Sequence, residues 1–237
     1  MNTSIALPDE AARRTLEGAL PSLGLVLTDM QITALLAYVE LIAKWTRVYN
    51  LTAVRDPAEM LTHHLLDSLA AIIPLRRHFE TPGKVSAGKV LDVGSGAGLP
   101  GVVIAICCPE LSVTCVDTVA KKAAFIKQVA LALNLSNLTG LHGRVESITT
   151  PFDVICSRAF ASLADFTSWS QAALSVEGVW MAMKGKHPTG ELQMLSGGIE
   201  MFHVEQLQVP GLDAERCIVW MRRYLGGDME QGVSPVK

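Results

Sequence analysis

The sequence lacks a cysteine pattern typical of disulfide bonds or of zinc sites. Its five cysteines show none of the spacings that hold a zinc ion, and their odd number argues against a disulfide framework. Three of them lie inside apolar runs, where a free thiol behaves as a small hydrophobic side chain. We therefore expect buried free thiols and no metal site.

An excess of positive charge and a long apolar run are also missing. The 20 Lys and Arg against 23 Asp and Glu give a net charge of −3, which excludes a globally basic nucleic-acid packager but permits a local basic patch. The longest uncharged stretch, from Val93 up to Glu110, contains four glycines and two prolines and would make a poor membrane span. No secretory signal is visible at the start of the chain. We expect a soluble, cytoplasmic protein without a membrane partner.

The first eighty residues are predicted to be helical. Thr28 and Gln31 form a capping box in front of apolar residues at helical spacing. A second amphipathic segment begins near Pro57, at an early helical position, and is expected to end at Pro74. Trp45 and Tyr49, four residues apart, could stack on a base, but packing in the helical core is favoured.

A change in composition marks the junction between this helical part and the rest of the chain. Residues 81–88 are rich in Gly, Pro and small side chains. With 237 residues, 49% of them apolar, the chain suffices for one domain with an appendage. We predict an N-terminal helical segment over 1–83 that packs on a core unit over 84–225, followed by a tail over 226–237.

Short β-rich runs alternate with helical stretches after the junction. The strand candidates are Lys89–Val93, Leu111–Asp117, Leu138–His142, Phe152–Ser157, Gly178–Lys184, Met201–Val209 and Cys217–Arg223. Strands separated by helices predict a doubly wound α/β fold with a mostly parallel sheet. The last two candidates follow without a helix-length gap, so we expect an antiparallel hairpin at one edge.

The most informative motif is a glycine loop that follows the first strand. Gly94, Gly96 and Gly98 lead into an apolar helix, so the backbone can approach a ligand closely and the helix offers free N–H groups. Such a loop binds nucleotides at the carboxyl edge of a Rossmann-like sheet. A glycine-rich turn without a ligand is the plain alternative.

The identity of the nucleotide depends on two carboxylates. Residues 96–101 match the dinucleotide fingerprint, which is weak evidence when it stands alone. Asp92, two residues before the first glycine, would repel a pyrophosphate and suits the cationic methionine part of S-adenosylmethionine. Asp117, at the end of the next strand, can accept both ribose hydroxyls in either type of site. The sequence therefore favours a methyltransferase and leaves a nicotinamide-dependent oxidoreductase as the alternative.

Residues at later strand ends extend the candidate site. Arg144, Val145 and Glu146 follow the third strand, either beside an adenine or as an ordinary turn, and Arg158 ends the fourth strand over the crevice. No Asn/Asp-Pro-Pro-aromatic motif and no Pro-Cys pair is present, which argues against methylation of amino groups or of cytosine carbon. His63, His64, Asp67 and Ser68 are interpreted as a hydrogen-bonded contact between the helical segment and the core, because no third metal ligand accompanies them.

Several of these stretches together resemble one protein family. They are KWTRVYNLTAVRDPAEMLTHHLLDSLA at Lys44–Ala70, LDVGSGAGLPG, SRAFASL at Ser157–Leu163, and the Lys184-Gly185 pair. They resemble the bacterial RsmG (GidB) family, whose members methylate N7 of one guanosine in the 530 loop of 16S ribosomal RNA. The likeness runs from roughly Leu25 to Arg223. It implies a Rossmann-like S-adenosylmethionine-dependent methyltransferase fold.

The resemblance also implies roles for individual residues. The residues expected to bind S-adenosylmethionine include the loop glycines and the ribose carboxylate. They are Gly94, Gly96, Gly98, Leu99, Asp117, Val145, Glu146 and Arg158. Contact with 16S ribosomal RNA, free or within the 30S subunit or an assembly intermediate, is expected at Lys121, Arg144, Lys184 and Arg216. No catalytic base is assigned, because guanine N7 carries a lone pair and no proton, so catalysis would rest on proximity and orientation. A methyltransferase of the same fold that acts on a small molecule or a protein remains the second hypothesis.

Overall fold

The computed structural model describes residues 10–80 and 87–224. Within these ranges seven strands form one sheet in the order β3-β2-β1-β4-β5-β7-β6. The strands are β1 (Lys89–Val93), β2 (Ser112–Asp117), β3 (Leu138–His142), β4 (Phe152–Arg158), β5 (Leu174–Lys184), β6 (Ile199–Leu207) and β7 (Arg216–Arg223). β1 to β5 run parallel, whereas β7 is antiparallel to both β5 and β6. The predicted sheet and its antiparallel edge hairpin are confirmed.

Helices cover the sheet and form the N-terminal segment. They are α1 (Glu10–Ala19), α2 (Asp29–Tyr49), α3 (Pro57–Met60), α4 (Asp67–Leu69), α5 (Ile72–Phe79), α6 (Gly101–Cys107), α7 (Ala120–Ala132), α8 (Leu163–Ser170) and α9 (Thr189–Leu192), with a π-helical turn (Leu61–Leu66) between α3 and α4. The observed strand bounds lie within a few residues of those predicted. The largest difference among the strands is β5, which begins at Leu174 rather than Gly178, and its pairing with β4 shifts register between Phe152 and Val154. All five cysteines are buried, as predicted.

The long helix α2 joins the helical segment to the sheet. Its capping box is present, because the Thr28 side chain accepts from the Gln31 N–H and the Gln31 side chain accepts from the Thr28 N–H. Its buried face belongs to the same hydrophobic cluster as residues of the sheet and of α6 and α7. The Trp45 ring lies 5.2 Å from the ring of Phe125 in α7, so its predicted role in core packing is confirmed. The same prediction is wrong for Tyr49, which is 44% exposed because it lies on the outer face at the end of α2. The helical segment and the sheet therefore share one core.

The second helical stretch begins as predicted but ends differently. The Asp56 carboxylate caps α3 by accepting from the Ala58 and Glu59 N–H groups, and Pro57 occupies the first position. The expectation that Pro74 ends the stretch is wrong. The stretch stops after Leu69, and Pro74 is the third residue of α5, where its missing N–H would have no helical partner.

Two of the predicted boundaries fall outside the described ranges. The junction between 83 and 84 and the tail over 226–237 lie there, so the division into units stays a prediction. Among residues 10–80 and 87–224, no helix is both long and apolar enough to cross a bilayer.

Candidate active site

The glycine loop after β1 is held from two sides. Gly94 and Gly96 have φ angles of 64° and 61°, the left-handed region that glycine adopts without strain. The N–H groups of Gly94 and Ser95 both donate to the Val116 carbonyl of β2, at 2.9 and 3.2 Å. From the helical segment, the buried Tyr38 hydroxyl donates to the Ala97 carbonyl at 2.6 Å. The loop conformation therefore depends on the sheet and on α2 together.

Asp92 lies beneath this loop and lines neither of the cavities described below. It is 0% exposed, and its Oδ2 accepts from the Gly101 N–H at the start of α6, at 2.8 Å. Burial raises the pKa of this carboxyl to about 7, although the Gly101 N–H favours the charged form. Its other oxygen, Oδ1, is buried and has no hydrogen-bond partner among the described residues. One oxygen thus joins the loop to α6, and the expected place beside a cationic ligand stays a prediction.

Asp117, at the end of β2, anchors a smaller cavity of about 370 Å³. Its carboxylate accepts from the N–H groups of Gly96 at 3.0 Å and Val119 at 2.8 Å, and Lys122 Nζ lies 3.7 Å away. Each carboxylate oxygen has a further lone pair for a ligand hydroxyl. The cavity is lined by Val93, Gly94, Val116, Asp117, Thr118, Val119, Lys122, Gly143, Arg144, Val145, Glu146, Phe160 and Trp169. The structure thus brings Asp117 together with the predicted residues that follow β3.

Two aromatic residues at this cavity were missed by the sequence reasoning. The Phe160 ring covers Gly94, where an added Cβ would collide with it. The Trp169 ring lies 5.8 Å from the Phe160 ring in an edge-to-face arrangement. Phe160 follows Ala159, whose φ of 50° is unusual for a residue with a Cβ. The SRAF stretch contains Phe160, but the sequence pattern predicted only Arg158 as a site residue.

A larger cavity of about 570 Å³ meets the smaller one at Gly94. The helical segment, the glycine loop and the ends of β4, β5 and β7 all contribute to its walls. The lining residues are Leu51, Thr52, Val54, Glu59, His63, His64, Asp67, Gly94, Ser95, Gly96, Ala97, Leu99, Arg158, Ala159, Met183, Lys184, Gly185 and Arg216. Leu99, Arg158, Lys184 and Arg216, which are far apart in the sequence, thus meet in one place.

The Asp67 carboxylate connects the helical segment to two strand ends at this cavity. Its side chain is 4% exposed, and it accepts from Arg158 Nη1 at 2.7 Å and from Arg216 Nε at 2.8 Å. Arg158 Nη1 also donates to the His63 carbonyl at 2.8 Å. The predicted contact between the helical segment and the core is confirmed. Asp67 directly follows the π-helical turn, a feature that is frequent at functional sites.

His64 lies on the same wall as a neutral side chain. Its Nε2 shares a hydrogen bond of 2.8 Å with the Thr52 hydroxyl. Burial, reinforced by the positive charge of Arg158, lowers the pKa of His64 to about 4. Among the residues that the structure describes, no group of three His, Cys, Asp or Glu side chains could hold a metal ion.

The four cations expected at RNA divide into two kinds. Lys121 is exposed, and the Arg144 side chain is 77% exposed beside Glu146. Lys184 is only 16% exposed and pairs with Glu191 at 2.8 Å, whereas Arg216 is 24% exposed and pairs with Asp67. The first two cations are open to solvent, and the second two already neutralise buried or half-buried carboxylates.

A comparison with known proteins gives the family. The family model for rRNA small subunit methyltransferase G, GidB, matches residues 31–219. The chain belongs to this family. The resemblance found in the sequence is confirmed, and the nicotinamide alternative is set aside.

Curated relatives agree with this assignment over most of the chain. Ribosomal RNA small subunit methyltransferase G of Polaromonas naphthalenivorans is 69% identical over 218 residues, which cover 92% of this chain and 99% of that protein. The protein of the same name from Methylibium petroleiphilum is 59% identical over 215 residues, which cover 90% of this chain and 96% of that protein.

Solved structures support the fold. An S-adenosylmethionine-dependent methyltransferase from Aquifex aeolicus aligns with a TM-score of 0.52 at 17% identity, over 73% of this chain and 96% of that chain. TrmN from Thermus thermophilus aligns with a TM-score of 0.51 at 17% identity, over 69% and 53% of the two chains. At this identity the likeness concerns the fold alone. The expected Rossmann-like methyltransferase fold is confirmed.

Proposed function

We propose that this chain transfers a methyl group from S-adenosylmethionine to N7 of a guanosine in 16S ribosomal RNA, in the 530 loop as the family resemblance implies. The observation that carries the proposal is the meeting of the two cavities at Gly94. The smaller one offers a carboxylate suited to ribose hydroxyls, and the larger one has room for a second reactant. A methyltransferase needs such a pair of adjoining sites.

The residues around the smaller cavity fit S-adenosylmethionine. Asp117 keeps free lone pairs for the two ribose hydroxyls, and Val145 and Glu146 would lie beside the adenine. Gly96 would expose loop backbone to the ligand, and Gly94 lies beside the Phe160 ring where the two cavities meet. Gly98 faces Val102 and Tyr38 and so supports the loop from within. On the larger cavity, Leu99 and Arg158 would complete the site, the latter as the cation for the ligand's carboxylate.

The chemistry that this site must support needs no proton transfer before the reaction. S-adenosylmethionine supplies an activated methyl group on a positively charged sulfur. Guanine N7 is an acceptor without a proton, so the chain's own residues have to hold the base in line and exclude water. His64 is neutral at physiological pH and is held by Thr52, which suits a structural wall better than a general base.

RNA binding is proposed at Lys121, Arg144, Lys184 and Arg216. Lys121 and Arg144 would contact phosphates directly, because their side chains are exposed. Arg216 would use the N–H groups that Asp67 leaves free. Lys184 Nζ already donates to Glu191 and to the Ala161 carbonyl, so it would exchange one of these partners for a phosphate. Since the chain carries a net charge of −3, these local cations would have to outweigh its general repulsion of RNA.

Two measurements test this proposal. Calorimetric titration should give saturable binding of S-adenosylmethionine and S-adenosylhomocysteine, and none of NAD. Labelled S-adenosylmethionine should then transfer its methyl group to unmethylated 30S subunits, to naked 16S RNA or to assembly intermediates, with the label found as 7-methylguanosine in one 16S fragment. Label that appears only in protein or in a small molecule would instead favour the second hypothesis.

A further inference from the structure

We infer that Glu59 reads the Watson–Crick edge of the target guanine, and so selects guanine over adenine at the larger cavity. The inference rests on the proposed function, because it concerns the base that the enzyme methylates. It assigns a specificity-determining role to a residue of the N-terminal helical segment rather than of the methyltransferase core.

The backbone of Glu59 is held at the cavity wall. Its N–H donates to the Asp56 carboxylate at 3.1 Å, as part of the cap that begins α3. Glu59 lines the larger cavity together with other residues of the helical segment. In the described part of the chain, its carboxylate has neither a hydrogen-bond nor an ion-pair partner. An unpaired carboxylate therefore borders a cavity that holds the other candidate site residues.

The other carboxylate of the cavity belongs to Asp67, and its negative charge is already paired. It is 4% exposed and accepts from the guanidinium groups of Arg158 and Arg216. Among the described lining residues, Glu59 is thus the carboxylate that remains available to accept hydrogen bonds from a ligand. A ligand that meets this wall should present N–H donors.

Guanine presents N–H donors on the edge away from N7. The N7 and O6 acceptors lie on one edge of the base, whereas N1–H and the exocyclic amino group lie on the Watson–Crick edge. Methylation at N7 requires that the N7 edge face the glycine loop, which turns the donor edge away from Gly94. The helical segment lines the same cavity as the loop, and the exposed Glu59 carboxylate can accept from two adjacent N–H groups.

Adenine would be rejected by the same carboxylate. Its Watson–Crick edge carries an N1 lone pair in place of the N1–H donor, so it would place an acceptor against a negative charge. A site that hydrogen-bonds a substrate group discriminates strongly against an analogue that lacks it, because the protein partner is then left unpaired. Inosine retains N7, O6 and N1–H but lacks the amino group, so it isolates one of the two hydrogen bonds.

The experiment compares guanosine with inosine at the methylated position. Small subunits are reconstituted on ligated 16S RNA that carries one or the other base, and single-turnover methyl transfer and binding in the presence of S-adenosylhomocysteine are both measured. For the wild type we expect a preference for guanosine of about 10- to 100-fold in rate, with a parallel preference in binding. Glu59→Gln should shrink this ratio, and Glu59→Ala should bring it to about one. Both variants should bind S-adenosylhomocysteine as the wild type does.

The matched control is Glu110→Gln, an exposed glutamate between α6 and β2, at the opposite edge of the sheet. It should leave both the rate and the ratio unchanged. The inference would be overturned if Glu59→Ala kept the wild-type ratio of methyl-transfer rates on guanosine and inosine, including the case in which both rates fall equally. The proposed function would still stand. A wild-type enzyme that methylates no guanosine N7 in 16S RNA would instead overturn the proposed function itself.

Discussion

The two cavities that meet at Gly94 are built from different parts of the chain. The smaller one is lined by residues from the first sheet strand onward, at strand ends, their loops, α7 and α8, and Asp117 is among them. The larger one needs the N-terminal helical segment, which contributes Glu59, His64 and Asp67 to its wall. The smaller cavity lies where a Rossmann-like sheet binds a nucleotide. The larger cavity depends on the helical segment that packs onto the sheet, so we expect this segment to determine which substrate is methylated.

The variant Gly94→Val should disrupt both cavities and have the largest effect on ligand binding. A branched side chain at a φ of 64° is strained, and its Cβ would collide with the Phe160 ring. We expect calorimetry to detect no binding of S-adenosylhomocysteine. Gly18→Val on the exposed face of α1, where an added Cβ meets no atom within 4 Å, is the control. Wild-type affinity in folded Gly94→Val would refute this account of the loop.

The variant Asp67→Ala should affect the larger cavity and its attachment to the core. It leaves Arg158 and Arg216 without their shared carboxylate, and we expect a loss of about 3 kcal/mol in the free energy of unfolding, measured in urea. Glu200→Gln removes the partner of Arg222 in an exposed pair, so it should lower the free energy of unfolding far less than Asp67→Ala does. Equal losses in the two variants would mean that the Asp67 contact is an ordinary surface pair.

The variant Asp117→Ala should affect the smaller cavity alone. We expect the binding of S-adenosylhomocysteine to weaken by about 1–3 kcal/mol, the scale of hydrogen bonds to a charged group. Part of this loss would come from the Gly96 and Val119 N–H groups, which lose their acceptor. The binding of RNA without cofactor should change little, and a larger effect on RNA than on cofactor would reverse the assignment of the two cavities.

Substitution of the RNA-facing cations should have the smallest effects. In filter-binding salt titrations with 16S RNA, each of Arg144→Ala, Lys184→Ala and Arg216→Ala should weaken binding, and each lost phosphate contact should flatten the salt slope by about 0.7 to 0.9. The binding of S-adenosylhomocysteine should stay nearly intact. Lys127→Ala, on the exposed side of α7, serves as the control. If all three variants kept the wild-type dependence of binding on salt, these cations would not contact RNA phosphates, and the RNA-binding surface would lie elsewhere on the protein.

The sequence predicted the parts of the site that depend on local pattern. Gly94 and Asp117, which line the cavities, could be predicted because a strand followed by small residues or by a carboxylate is a pattern of about a dozen residues. The partners of Asp67 were not predictable, because Arg158 and Arg216 lie 91 and 149 positions away and only the folded chain brings them together. The contact of Asp92 with the Gly101 N–H of α6 was not predictable either, since the spacing does not tell which backbone groups a strand-end carboxylate meets.

The most direct test of the central claim is a nucleoside and fragment analysis of small-subunit RNA from cells with and without this protein. The account predicts that one 16S fragment loses a single methyl group, found as 7-methylguanosine, when the protein is removed. The wild-type chain should restore it, and Gly94→Val should not. Identical 7-methylguanosine content and identical fragment masses in the two strains would contradict the claim that this chain methylates 16S ribosomal RNA.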